Sequence, residues 1–242
     1  MVCSRCKMVV KSELEKLGLQ LLAVDLGEVE VTPISERQKS EIAEHLKGFG
    51  FELIDDKKSR LIDKIKTLLP EKRYNHVLRV VDMAKKLARI HGTNSQKAEI
   101  AAYLHDVSKF FTLEEMKNFV WTNEHVKDYQ IGELLHGFAG AIYARNRFRI
   151  DDMDILNAIR YHTIGRKGMS DLEKIIYIAD AVEEGRNYPG VNEMREVAYK
   201  NLDEAILMEA NRKIEYLIKL DAIIHPSTVE MRNWLVEKVR KN

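Results

Sequence analysis

The chain has 242 residues, 45% hydrophobic and 32% charged, with a formal net charge of +1 at pH 7. This length holds one large core or two smaller ones, the composition excludes general disorder, and near-neutrality on both sides of Leu69 excludes a general nucleic-acid binder. No apolar run approaches the roughly 20 residues of a membrane span, no signal-peptide order opens the chain, and two cysteines, Cys3 and Cys6, offer no disulfide framework, so a cytoplasmic protein is expected.

The first elements mix periods. "CKMVVKSELEKLG" has helical spacing, "LQLLAVDLG" and "VEVTP" alternate as short strands, "SERQKSEIAEHLKGFG" is helical with Ser35 as its N-cap, and "FELID" reads as a third strand. The order α-β-β-α-β predicts a small α+β module over residues 1–56. "DDKKSRLIDKIKTLLP" turns from charged to amphipathic and stops at Pro70, which predicts a linker helix over residues 57–70. Between 71 and 242 helical periods are punctuated by Gly92, Gly132, the loop "IGRKG", "YPG" and Pro226, so this part is expected to be all-helical.

On those helices the histidines fall into two groups. His76 shares a face with Val80, Met83 and Leu87, His105 with Ala98, Ala101 and Ala102, and His162 with Ile155 and Ile159. His136 lies in "LLHGFAGA", among small residues that let helices approach, and Asp180 in "IIYIADAVEEG" shares a face with Ile176 and Tyr177. His45, His91, His125 and His225 sit in polar surroundings and read as surface residues. One inward histidine is ordinarily a core residue bonded to a carbonyl. Four of them, together with Asp106 and Asp180, are costly to bury unless a divalent metal compensates them. Imidazole with carboxylate suits Fe, Mn, Zn or Co rather than Ca. Six ligands exceed what one open catalytic ion uses, which points to two ions bridged by a carboxylate.

A histidine, a His-Asp pair and a distant aspartate, here His76, His105–Asp106 and Asp180, resemble the signature of the HD-domain metal-dependent phosphohydrolases. The ordered set "LHDVSK", "LLHGFAGA", "HTIGRKGMSDLEKIIYIADAVEEGR" and "YPGV" resembles, more closely, the YqeK-type symmetrical bis(5′-nucleosyl)-tetraphosphatases over residues 70–225, with Glu184 where proline is usual. The resemblance implies a mainly α protein, an all-helical HD bundle over 71–242, that cleaves diadenosine tetraphosphate and related dinucleoside polyphosphates to two ADP. It implies two divalent ions, iron first and Mn, Co or Zn as alternatives. His76, His105, Asp106 and Asp180 would hold one ion, and Asp106 would bridge to a second held by His136 and His162. Asp106 and Lys109 are then the catalytic residues, and Lys109, Thr163, Gly165 and Arg186 the substrate contacts. No nucleic-acid or membrane partner is expected, and a homodimer is an open expectation. The rivals are another HD-type nucleotidase or phosphodiesterase, and a metal- or nucleotide-responsive binding protein without catalysis.

The opening "MVCSRC" followed by a β-β-α-β pattern resembles the heavy-metal-associated ferredoxin-like domain, in which Cys3 and Cys6 would grip a soft cation. That domain begins with a strand before its cysteine loop, for which Met1 leaves no room here, so a start upstream of Met1 or a partner that completes the sheet is an expectation. The stretch from Leu17 to Lys66 also resembles the N-terminal module of certain AraC-type regulators.

Overall fold

The computed structural model describes residues 4–25, 28–51, 53, 57–123 and 132–240. It divides into two compact units, Met1–Thr67 and Leu68–Asn242. Among the described residues no helix is long and apolar enough to cross a membrane.

In the first unit, helix α1 (Ser4–Lys16) leads into strands β1 (Leu21–Asp25) and β2 (Glu28–Val31), followed by α2 (Glu36–Lys47) and α3 (Lys57–Leu68). The strands pair antiparallel, Leu21 opposite Val31 and Asp25 opposite Glu28, with an irregularity between Leu21 and Ala23. Val10 and Leu14 on α1, and Ile42 and Leu46 on α2, are each four apart, so each helix presents one apolar stripe. These four are buried together, with Leu19, Leu21, Val29, Ile34 and Phe51 packed against them. Ser35 caps α2 as expected, in a capping box with Gln38. Glu13 is buried and takes Lys16 at 2.7 Å and His45 Nε2 at 3.0 Å, so the half-exposed His45 also has a structural partner.

The described sheet has two strands. The expected third, "FELID", falls on residues 51–55, of which 51 and 53 are not in a strand and 52, 54 and 55 lie outside the described residues. Cys3 also lies outside them, while Cys6 is on α1. The ferredoxin-like expectation and the boundaries at 56 and 71 therefore stay proposals.

The second unit is helical throughout its described residues: α4 (Glu71–Ile90), α5 (Ser95–Leu104), α6 (Leu113–Asn123), α7 (Gly132–Phe148), α8 (Met153–Tyr161), α9 (Asp171–Val182), α10 (Val191–Lys200), α11 (Leu202–Lys219) and α12 (Pro226–Val239). Helix α9 is buried on nearly every side, through Leu172, Ile175, Ile176, Tyr177, Ile178, Ala179 and Val182, and is the central helix such an apolar circumference demands. Around it pack α4, α5, α8, α10 and α11. Ala98, Ala101 and Ala102 give α5 a small-residue face at the heart of the bundle, where it meets α4, α8 and α9. Asn94, Asp152, Ser170 and Asn201 each cap a helix by accepting from a first-turn amide, which fixes where α5, α8, α9 and α11 begin. Two more histidines expected at the surface have structural partners: His91 Nε2 meets Ala198 O at 2.8 Å, and His225 Nδ1 caps α12 by accepting from Ser227 N at 3.1 Å. His125 lies outside the described residues.

Candidate metal centre

His76 comes from α4, His136 from α7 and Asp180 from α9, while His105 and His162 occupy the C-cap positions of α5 and α8. Helix ends thus aim two rings and the adjoining Asp106 into the bundle. The six residues converge into overlapping sets, His76–His105–Asp106, His105–His162–Asp180 and Asp106–His136–His162, in each of which the ligand atoms lie within 4.8 Å of one another. His76, His105, Asp106, His136 and His162 are buried and Asp180 half-buried. The two oxygens of Asp106 face different partners. Oδ1 lies 3.3 Å from His136 Nε2 and 3.6 Å from His162 Nε2, whereas Oδ2 lies 3.7 Å from His105 Nε2.

The rings are oriented by what their other nitrogens do. Nδ1 of His105 faces Ala102 O at 2.7 Å, that of His136 faces Gly132 O at 3.2 Å, and that of His162 faces Ile159 O at 2.7 Å. A carbonyl can only accept, so the ring proton belongs on Nδ1 and each Nε2 keeps its lone pair. His76 Nδ1 is oriented by the Glu183 carboxylate at 3.1 Å. The Nε2 atoms of His105, His136 and His162 then point inward as acceptors, and that of His76 faces the Asp180 carboxylate. Those of His105 and His76 have no hydrogen-bond partner, although His76 Nε2 lies 3.1 Å from Asp180 Oδ1. Those of His136 and His162 face each other at 3.0 Å, where two lone pairs repel unless a cation lies beside them.

Burial pushes His105 down to about 4 and also lowers His136, keeping both rings neutral near pH 7. For Asp106, burial opposes ionisation, yet the carboxyl is held well below its usual range, and the Arg73 guanidinium donates to it at 3.0 Å. Neutral imidazole donors with ionised carboxylates fit a divalent transition ion.

Around this donor set lie the expected substrate contacts. Thr163 Oγ1 lies 3.1 Å from both His136 Nε2 and His162 Nε2. Lys109, half-buried one turn beyond His105, has its ammonium 3.9 Å from the exposed Glu133. Arg186 is half-exposed and holds Asp180, donating to Oδ1 at 2.6 Å and to the backbone oxygen at 2.8 Å. At Gly165, also an expected substrate contact, the backbone groups have partners within the protein. Its amide donates to Tyr161 O at 2.8 Å and its carbonyl accepts from Ser227 at 2.7 Å, so both backbone groups are already engaged.

Two participants went unread in the sequence. Arg73 donates to Asp106 Oδ2 at 3.0 Å, and its position one helical turn before His76 was the available signal. Glu183, buried, orients His76 and takes Arg79 Nε at 2.6 Å and the Gly185 amide. Its signal was likewise one turn of spacing, from Asp180. Glu183→Gln should keep the fold but weaken divalent-ion affinity by about 10 to 100-fold, the usual worth of a carboxylate behind a ligating histidine. Calorimetric titration with Mn²⁺ measures this, and unchanged affinity would exclude the orienting role.

Inward imidazoles and carboxylates on a helical bundle define the class of HD metal-dependent hydrolases, and the HD domain model matches residues 73–185. The symmetrical bis(5′-nucleosyl)-tetraphosphatase of Bacillus subtilis is 41% identical over 175 residues, covering 71% of this chain and 94% of that protein. That of Staphylococcus aureus is 38% identical over 187 residues, covering 72% and 93%. The crystal structure of a predicted HD superfamily hydrolase involved in NAD metabolism from Clostridium acetobutylicum superimposes with a TM-score of 0.69 at 39% identity, covering 75% of this chain and 97% of that one. The chain belongs to the family of YqeK-type symmetrical bis(5′-nucleosyl)-tetraphosphatases.

Proposed function

We infer that the chain hydrolyses diadenosine tetraphosphate, and related dinucleoside polyphosphates, at the midpoint to two nucleoside diphosphates. The observation that carries the two-ion form of this reading is Asp106, whose Oδ1 and Oδ2 address separate histidine groups as a bridging carboxylate must. His76, His105, Asp106 and Asp180 would hold one ion, and Asp106, His136 and His162 the other, from donor atoms that lie close together in overlapping sets. Bound there, divalent ions supply the Lewis acidity that acidifies water and offsets charge on phosphate oxygens. Iron is the proposed ion, with Mn, Co or Zn able to use the same donors.

The chain's own groups do the positioning. Arg73 and Arg186 hold ligand carboxylates through half-exposed guanidiniums, so each can turn an N–H toward a polyphosphate oxygen without being drawn from deep burial. Lys109 adds a third cation at the rim, and Thr163 a hydroxyl beside the His136–His162 pair. A polyphosphate clamped so that one terminal ADP unit spans the ligand cluster presents its central anhydride to water. Water adds its oxygen to one ADP while the bridging oxygen leaves with the other. A cytoplasmic location, no nucleic-acid partner and a homodimer remain part of the reading.

The test is incubation of the metal-loaded full chain with diadenosine tetraphosphate in ¹⁸O-water. ADP is the expected sole nucleotide product, half of it carrying one solvent oxygen, and chelator should abolish the reaction. ATP plus AMP would overturn midpoint cleavage, and absence of cleavage by folded, fully loaded protein would overturn the reading.

A further inference from the structure

The loop leaving α8 carries Thr163, Ile164 and Gly165, and the carbonyl oxygen of each is taken by a different side chain from α11 and α12. Thr163 O accepts from Lys213 Nζ at 2.9 Å, Ile164 O from Thr228 Oγ1 at 2.8 Å, and Gly165 O from Ser227 Oγ at 2.7 Å. Gly165 has φ +65°, a conformation that favours glycine, and a Cβ there would overlap the Met231 sulfur, so α12 packs closely on the loop. Lys213 also reaches the buried Tyr177 hydroxyl at 3.3 Å, tying the same anchor to the helix that carries Asp180. Lys213, Ser227 and Thr228 all lie beyond residue 185, where the HD match ends.

A loop with glycines at positive φ at 165 and 168 is intrinsically pliable. Left to itself, it would let the Thr163 hydroxyl wander from the 3.1 Å contacts it makes with two ligand nitrogens. We propose that Lys213, Ser227 and Thr228 form a carbonyl clamp that positions Thr163, and with it the His162 end of the metal centre, for the hydrolytic reaction. They are positioning residues, acting through the loop. The kinetic consequence rests on the proposed function. The structural one does not.

The experiment uses the full chain with Lys213→Met, the pair Ser227→Ala and Thr228→Val, and Thr163→Val. In metal-free protein, hydrogen exchange read by mass spectrometry should quicken over residues 163–168 in both clamp variants and stay unchanged in Thr163→Val. With metal loaded and ion content checked, the clamp variants should lose about 10 to 100-fold in kcat, as expected for misplacing a group on the order of 1 Å, with KM changed less. Combined with Thr163→Val their losses should fail to add, because both act through one group. Lys213→Arg, which keeps a cationic donor, should recover part of the rate. Unchanged exchange over the loop, or losses that multiply in full, would overturn the clamp. Should wild-type protein not cleave diadenosine tetraphosphate, the proposed function falls while the exchange measurement still decides the clamp.

Discussion

Asp106→Ala is expected to abolish turnover, by more than about 10³-fold, and to leave the protein unable to retain divalent ions. Removing a partner that merely orients a ligand costs about 10 to 100-fold, and losing a single electrostatic donor costs about 10² to 10³-fold. Asp106 should exceed both because it is the one side chain that addresses His105 through one oxygen and the His136–His162 pair through the other. Its loss also removes the negative charge nearest those imidazoles, so an incoming cation meets a less favourable field. The fold should survive. Arg73, the cation released, is half-exposed and can be hydrated in place, and His105 and His136 are already neutral through burial. Metal content by elemental analysis, circular dichroism and ADP release should be measured on one preparation. A folded variant that keeps its ions and turns over within tenfold of wild type would remove Asp106 from the bridging role.

The convergence of these residues was legible because burial leaves a periodic trace. His76 shares its stripe with Val80, Met83 and Leu87, all buried, and His105 and His162 end stripes that are buried in the same way. The three described histidines read as surface residues are half-exposed and lie at helix ends, but their bonding was not legible. His45 and His91 lie among polar neighbours in sequence, yet each meets a partner that no local pattern reveals, Glu13 from another helix and a carbonyl at 198, whereas His225 caps an amide two residues on. Arg73 and Glu183 went unread because their partners are distant in sequence: α4 against α5 brings Arg73 to Asp106, and α4 against α9 brings Glu183 to His76. Lys213, Ser227 and Thr228 were invisible for a further reason. They bind backbone oxygens 50 to 64 positions away, and a carbonyl has no side-chain identity to read. In the first unit the alternation that marks β1 and β2 was readable, but alternation names a strand without naming what it pairs with.

Gly137→Ala is expected to split the metal centre while sparing half of it. An added Cβ would stand 2.5 Å from the Arg160 carbonyl oxygen and 3.2 Å from that of Ile159, and both are backbone atoms that no rotamer change can move. Alanine gains roughly 1 kcal/mol over glycine in a helix interior, but overpacking a close helix contact costs about 1 to 3 kcal/mol, so net destabilisation is expected. The strain falls between α7 and α8, one residue from His136 and two from His162, whose Nε2 atoms sit 3.0 Å apart because those helices touch. His76, His105, Asp106 and Asp180 come from α4, α5, the turn after α5, and α9, and do not depend on that contact. On the proposed two-ion reading, bound ion should therefore fall from two per chain toward one, with a loss of about 10²-fold in rate if the displacement reaches about 1 Å. Gly140→Ala is the control. Its Cβ would meet the Ser108 hydroxyl at 3.3 Å and the Ile159 methyl at 3.5 Å, side-chain atoms able to yield, so it should keep both ions. If Gly137→Ala retained two ions and full rate, the helix contact would not set the His136–His162 geometry; if Gly140→Ala lost as much, bulk anywhere on α7 would be the cause.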